Sequence, residues 1–249
     1  MSRCKRRSDI KAWNSGGGAA VDYLAEHEAS RVSSWLMNET GSPLLVLDSK
    51  GSNDLTVNGS PSFGNGPPNA IAGTTSARLI SSGDFLSRAA GFGKEAGEDW
   101  TINLFVAMPA AIGNATIFSW GSSTTQAIAL SLDSGNKLEY YERGTGGVFL
   151  NFDSQLPADI ELSGAVHMIT CSYESATKAI RTYLDSGLIG LGVGHATNPT
   201  LDASGKGFRF GNLNGSAQDW TGYIQKAQYW KGATGFLSDG AINQLWAEK

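Results

Sequence analysis

"QAIALSLDSGNKLEYYERGTGGVFLNF", residues 126–152, is the stretch whose reading decides the fold. Three apolar runs, QAIALSL (126–132), KLEYY (137–141) and GVFLNF (147–152), are parted by Asp133-Ser134-Gly135-Asn136 and by Arg143-Gly144-Thr145-Gly146. Turn-forming residues between short alternating runs predict two consecutive hairpins, and so three adjacent antiparallel strands. Within KLEYY the period of two puts Leu138 and Tyr140 on the apolar side and sends Glu139 and Tyr141 to the other.

The pattern extends both ways along the chain. Strand-like runs occur at VSSWLM (32–37), LLVL (44–47), DLTV (54–57), ARLI (77–80), WTINLFVAM (100–108) and ATIFSW (115–120) before the stretch. AVHMITCSY (165–173), AIRTYL (179–184), GFRF (207–210) and TGYIQKAQYW (221–230) follow it. In WTINLFVAM, Ile102, Leu104, Val106 and Met108 share one face and Thr101, Asn103 and Ala107 the other, which predicts a half-buried strand. A short helix is expected at 19–28, and another at 237–246 with Ser238 as its cap. Many short strands without intervening long helices predict an all-β, two-sheet antiparallel sandwich rather than parallel βαβ units.

The composition agrees. Hydrophobic residues make up 41% of the 249 and charged residues only 17%, with 32 glycines to serve the turns. Residues 1–18 stand apart: Arg3, Lys5, Arg6, Arg7 and Lys11 against Asp9 give them +4, so the rest carries −8 within a total of −4. Gly16, Gly17 and Gly18 end this basic arm as a joint. The expected organisation is an arm (1–18), a connector (19–30) and one domain (31–249). A body at −8 is a poor partner for a phosphate backbone, so nucleic acid is not expected as a ligand. No apolar run is long enough to span a bilayer, and no apolar segment backs the basic start as in an export signal. Two cysteines, Cys4 and Cys171, cannot form a disulfide framework and read as free thiols.

A run of motifs in order resembles a known family. "DSKGSNDLTVNG" (48–59), "ARLISSGDFL" (77–86), "DWTINLFV" (99–106), "VHMITCSYE" (166–174), "RTYLDSG" (181–187), "FRFGN" (208–212), "DWTGYI" (219–224) and "LSDGAINQLW" (237–246) together resemble the laminin-G-like branch of the concanavalin A-like lectin/glucanase superfamily over roughly residues 31–249. The resemblance implies a jelly roll, with His167, Tyr173 and Asp185 matching family positions. Ser186 intrudes between Asp185 and Gly187, which predicts a hairpin turn one residue longer than the family's.

Catalytic signals are missing. Superfamily glucanases alternate carboxylates on one strand, since retaining hydrolysis needs two of them about 5 to 5.5 Å apart on one face. Here Glu26 and Glu28 sit in a helical run, Glu139 and Glu142 have the wrong parity, and Asp159 and Glu161 follow a proline. No nucleophile elbow occurs, and His167 in its apolar strand reads as structural. No enzyme is expected. The resemblance implies a calcium rim, but Gln126 stands where its Asp would be. Asp48, Asp54, Asp84 and Asp219 remain weak calcium candidates against the plainer reading of Asx turns. For glycans, Tyr141 beside Glu139 is the best aromatic candidate. Trp120 and Trp220, flanked by polar turns, are further candidates that the core claims more strongly. Asn-x-Ser/Thr triplets at Asn38, Asn58, Asn114 and Asn214 read as turn chemistry.

These features converge on a non-catalytic, lectin-like module of a virus particle, most simply a bacteriophage, acting structurally or in host and glycan binding. Its localisation would be the virion, with the arm (Arg3, Arg6, Arg7, Ile10, Trp13) docked on neighbouring virion subunits or on copies of the same chain in a homo-oligomer. The rival readings are an extracellular carbohydrate-binding protein exported without a conventional signal, and a glycan-active enzyme with unusual carboxylates.

Overall fold

The structure is a computed structural model that describes residues 21–64, 66, 75–89, 93, 95, 97–107, 115–121, 127–132, 137–143, 149–155, 165–193, 207–213 and 219–249. The anchoring-arm residues Arg3, Arg6, Arg7, Ile10 and Trp13 lie outside the described residues, as do Cys4, Asn114, Gln126, Asp159, Glu161 and Asn214.

Along the chain run β1 (Arg31–Trp35), β2 (Leu45–Val46), β3 (Leu55–Asn58), β4 (Ser62–Phe63), β5 (Ala77–Leu79), β6 (Phe85–Arg88), β7 (Trp100–Ala107) and β8 (Ala115–Gly121). Then come β9 (Ala127–Leu132), β10 (Lys137–Arg143), β11 (Phe149–Gln155), β12 (His167–Glu174), β13 (Ala179–Leu184), β14 (Gly187–Val193), β15 (Phe208–Phe210), β16 (Gly222–Lys231) and the helix α1 (Asp239–Ala247). One sheet has the order β14-β13-β12-β7-β16-β5-β4 with β1 also on β16; the other has β11-β10-β9-β8-β15-β6-β3-β2. The two sheets make the antiparallel jelly-roll sandwich that the strand pattern predicts. The opening stretch gives β9, β10 and β11 side by side, with Tyr141 between Ala129 and Asn151.

Alternation builds the core. Ile128, Leu130 and Leu132 of β9 and Phe118 and Trp120 of β8 face Ile102, Leu104 and Val106 of β7 in one apolar cluster. Trp100 meets Trp120 edge-on at 5.2 Å, and Phe208 meets Phe210 at 4.6 Å, the edge-to-face geometry aromatic pairs prefer. Cys171 is free and buried there, and burial pushes its thiol pKa up.

Three expectations are corrected. The strand expected to be half-buried, β7, is buried along its whole length. Its outer face lies under α1, whose Ala241, Ile242 and Leu245 pack with Phe105, Met168, Tyr183 and Trp230. The polar residues there are paired instead of solvated: Thr170 Oγ1 donates to Asn103 Oδ1 (2.6 Å), and Thr101 and Ser172 share a hydrogen bond (2.8 Å). The connector is a 3-10 helix over Ala25–Ser30, not a longer helix over 19–28. Asp22 Oδ1 accepts from the N–H groups of Leu24 and Ala25, and His27 Nδ1 is held to the Thr234 carbonyl (2.8 Å), which tightens the turn. The turn after β13 is not lengthened. Leu184 pairs with Gly187, so Asp185 and Ser186 alone make it, with φ of 51° and 71°. Both adopt the left-handed conformation of a two-residue hairpin turn. The Asp185 carboxylate holds it by accepting from Met168 N (2.9 Å) while bonding His167 Nδ1 (2.7 Å). The helix cap is as expected: Ser238 Oγ accepts from Ala241 N. Tyr183 OH donates to Asp239 Oδ1 at 2.8 Å, tying α1 to β13; burial, then that bond, pushes the Tyr183 pKa up to about 12.

Candidate functional site

With α1 covering the first sheet, the outer face of the second sheet is where outward-pointing residues of the opening stretch gather. Leu138 and Tyr140 turn into the core, while Glu139 and Tyr141 are half-buried on the outside, as the period of two predicts. Tyr141 does not stand alone. Ala127 and Ala129 of β9 form a small apolar cluster with Leu213, and Tyr141 packs against it. All three are buried, so the partly exposed member of this apolar platform is Tyr141.

Backbone register extends the platform into two rungs across the sheet. One runs Tyr141, Ala129, Ser119, Arg209, Ser87 and Thr56. The next runs Asp153, Glu139, Ser131 and Thr116, and Thr116 is bridged to Asp219. The second rung is therefore made only of carboxyl and hydroxyl residues. Thr116 and Ser131 are buried at its floor and share a hydrogen bond of 3.1 Å.

Gly211 makes the wall. Its φ is +92°, and a Cβ there would stand 2.3 Å from Leu79 Cδ1, so glycine alone lets the chain leave β15 and fold back over the sheet. The returning Asn212 carbonyl accepts from Ser119 Oγ (2.8 Å), its Oδ1 accepts from Arg209 Nη1 (3.1 Å), and its amide donates to the Asp219 carboxylate. The Arg209 guanidinium lies over the Phe85 ring at 4.5 Å, and burial holds its pKa below the usual range. Arginine, amide and carboxylate thus form one relay that fixes the edge of the platform.

Trp120 and Trp220 are corrected as stacking candidates. Both are fully buried, Trp120 among Trp100, Phe208 and Tyr229, so neither ring can meet a sugar at the surface. The aspartates proposed for calcium are occupied otherwise. Asp48 accepts from the N–H groups of Ser34, Lys50 and Asn53, and Asp84 from those of Ser60, Ile80 and Ser81. Burial pushes both carboxyls up, but these backbone bonds outweigh it and hold them below the usual range. Asp54 accepts from Asp48 N, and Asp219 belongs to the Asn212 relay. Among the described residues no group of three His, Cys, Asp or Glu is placed to hold a metal ion.

Among the described residues, the carboxylates weighed for catalysis do not form a same-strand pair either. Glu28 is bridged to Arg31 (2.8 Å) and Lys50 (2.6 Å), and Glu142 turns inward to accept from Tyr140 OH (3.3 Å), on the face opposite Glu139. Sequence reasoning reached Tyr141 and Glu139 but missed Leu213, Arg209 and Asn212. The available signal was the other half of QAIALSL, where Ala127, Ala129 and Ser131 alternate as small residues.

Comparison with known proteins places the fold. A profile of the concanavalin A-like lectin/glucanases superfamily, of laminin-G type, matches residues 81–235. No curated protein matches the chain significantly. Among solved structures, domain 4 of an extracellular arabinanase from Geobacillus stearothermophilus, in complex with arabinotriose, is similar with a TM-score of 0.64 and 16% identity, over 87% of this chain and 98% of that one. The binding domain of botulinum neurotoxin serotype D has a TM-score of 0.66 and 14% identity over 90% of this chain, and that of the DC toxin in complex with rat synaptotagmin II has 0.65 and 13% over 90%. This chain spans about half of those two, 53% and 52%. The fold is a lectin-like jelly roll, and the chain belongs to the concanavalin A-like lectin/glucanases superfamily.

Proposed function

We propose that this chain is a non-catalytic glycan-binding module whose ligand lies on the outer face of the second sheet, against Tyr141. The observation that carries this reading is the partly exposed Tyr141, packed on the buried Ala127, Ala129 and Leu213 cluster, with the partly exposed Glu139 two residues before it on the same face of β10. A sugar ring has apolar C–H faces and hydroxyl edges, so an aromatic surface next to hydrogen-bonding groups is what recognises it. The arabinotriose complex of the similar arabinanase domain supports the ligand class.

The fastening of the connector supports a reading of the module's setting. Tyr23 N donates to Gln244 Oε1 (2.9 Å), Gln244 Nε2 donates to Asp22 Oδ1 (2.9 Å), and Leu24 packs with the α1 cluster. The connector is thereby fastened over the first sheet, on the opposite side of the sandwich from Tyr141. An arm anchored from that side, in a virus particle or in a homo-oligomer, leaves the glycan face outward. The +4 arm against the −8 remainder supplies the attraction for such docking.

One observation favours a second reading, glycan hydrolysis: Asp153 stands directly opposite Glu139 in register. Glycan binding to the wild-type chain and to Tyr141→Ala, with products analysed, tests both. The expected result is bound and uncleaved glycan, with affinity at least about tenfold weaker in the variant, a loss of about 1.4 kcal/mol. Turnover abolished by Glu139→Gln would establish hydrolysis instead, and binding unaffected by Tyr141→Ala would remove this face from consideration.

A further inference from the structure

We propose that Arg78 and Lys226, seated on the rings of Tyr223 and Phe105 at the margin of the first sheet, form a second binding site whose ligand is an oxyanion: a sulfate, a phosphate or a carboxylate, free or carried by a larger molecule. The site lies on the opposite side of the sandwich from Tyr141 and does not rest on the glycan reading of that face.

A bulge in β16 creates the site. Ile224 and Ala227 both turn into the core, with two residues between them where strict alternation allows one. The register steps over Gln225, so Lys226 comes out opposite Phe105 on the face where Tyr223 stands opposite Ala107. Phe105 and Ala107 belong to the outer cluster under α1, and Tyr223 packs at the edge of that cluster. Tyr223 and Lys226 are therefore successive outward residues, about 7 Å apart along the strand. From β5, Arg78 pairs with Tyr223 and holds its guanidinium over that ring at 5.3 Å, while the Lys226 ammonium lies 5.8 Å from the centre of the Phe105 ring.

Both cations are half-buried, and among the described residues neither takes part in an ion pair. Lysine and arginine are rarely taken out of water without a counter-charge. Burial pushes the Lys226 pKa below its usual range; Glu248 opposes this and Arg31 adds to it. Of the charges around it, Glu248 is exposed, Arg31 is paired with Glu28 (2.8 Å), and the Lys249 ammonium donates to the Val166 carbonyl (2.6 Å). The stretches next to these strands in sequence, 65–74 before β5 and 108–114 after β7, contain no Asp or Glu. A contact with a ring face uses none of the guanidinium's N–H donors, so Arg78 keeps its fork for bidentate bonds to an oxyanion, with the Lys226 ammonium as a second charge. The −8 carried outside the arm opposes anions at long range. At physiological salt that field is screened beyond about 8 Å, and the charges in contact decide.

The test follows amide shifts of the full chain on titration with sodium sulfate and with sodium phosphate, at an ionic strength held constant with sodium chloride. The expected result is a saturable shift at Arg78, Tyr223 and Lys226, with affinity weakened at least about fivefold in Arg78→Gln and in Lys226→Gln and kept in Lys226→Arg. A sulfated disaccharide and its unsulfated counterpart separate the sources. Movement of the same residues with the sulfated sugar alone identifies a ligand-borne group, and movement with the free ions but with neither sugar identifies the ion itself. Where a glutamine variant fails to fold, the wild-type titration decides. Shifts that rise linearly without saturating would overturn the proposal. So would saturable shifts that persist unweakened in Arg78→Gln/Lys226→Gln melting as the wild type does, and neither result touches the reading of the Tyr141 face.

Discussion

Asp84 shows how a single residue is read differently by sequence and by structure. Next to Gly83 it reads most plainly as a turn residue and only weakly as a metal ligand, and local spacing does not say which backbone it braces. Its partners Ser60 and Ile80 come from different loops, which three-dimensional proximity alone reveals: the carboxylate braces both by accepting three backbone N–H bonds. Because its folded pKa is held low, its contribution to stability is complete above the unfolded carboxyl value of about 4 and is lost as pH falls through the lower folded value. Asp84→Ala should therefore destabilise the domain at neutral pH by at least about 1 to 3 kcal/mol, the cost of unsatisfied buried donors. Chemical denaturation at pH 7 and pH 3 should show a smaller gap between the two proteins at pH 3. An unchanged gap would mean that the carboxylate is not the brace. Tyr141 was legible because one period of two determines its side. Trp120 and Trp220 were legible in part: the core was the stronger reading and the structure bears it out, but a tryptophan beside polar turn residues kept the binding surface open as a weaker one.

Among the elements, strands with clear alternation were legible and those without it were not. The triplet β9, β10 and β11 follows from its own turn residues. By contrast β14 carries Gly187, Gly190 and Gly192, and reads as a glycine run; only its pairing with β13 makes it a strand. β4 spans two residues, too few for any periodicity, and β6 is set by its neighbours β3 and β15. The period of β7 gave its core face correctly, but the burial of its other face depends on α1, more than a hundred residues away. Leu104 lies fully buried at the centre of that strand, with Ile169 and Ala227 as its cross-strand neighbours. Replacing it with alanine should cost about 2 to 5 kcal/mol in equilibrium unfolding, the range for cavities in packed cores. A loss near zero would contradict the register.

At the scale of the whole molecule, the sandwich has two unlike sides. The first sheet is covered by α1 and the connector; on the outer side of the second, Tyr141 and Glu139 are partly exposed while Thr116 and Ser131 are buried. Deleting residues 1–15 should leave the thermal midpoint unchanged while removing incorporation into a parent assembly, as measured by co-sedimentation. Normal incorporation of the truncated chain would refute anchoring through the arm. The central claim, that a glycan binds on the outer face of the second sheet, is met most directly by mapping backbone amide shifts on titration with a neutral linear oligosaccharide. The account predicts perturbations concentrated in 127–132, 137–143 and 209–213 and none in the helix at 239–247. Perturbations confined to the first sheet, or to the rim loops with Tyr141 unmoved, would contradict it.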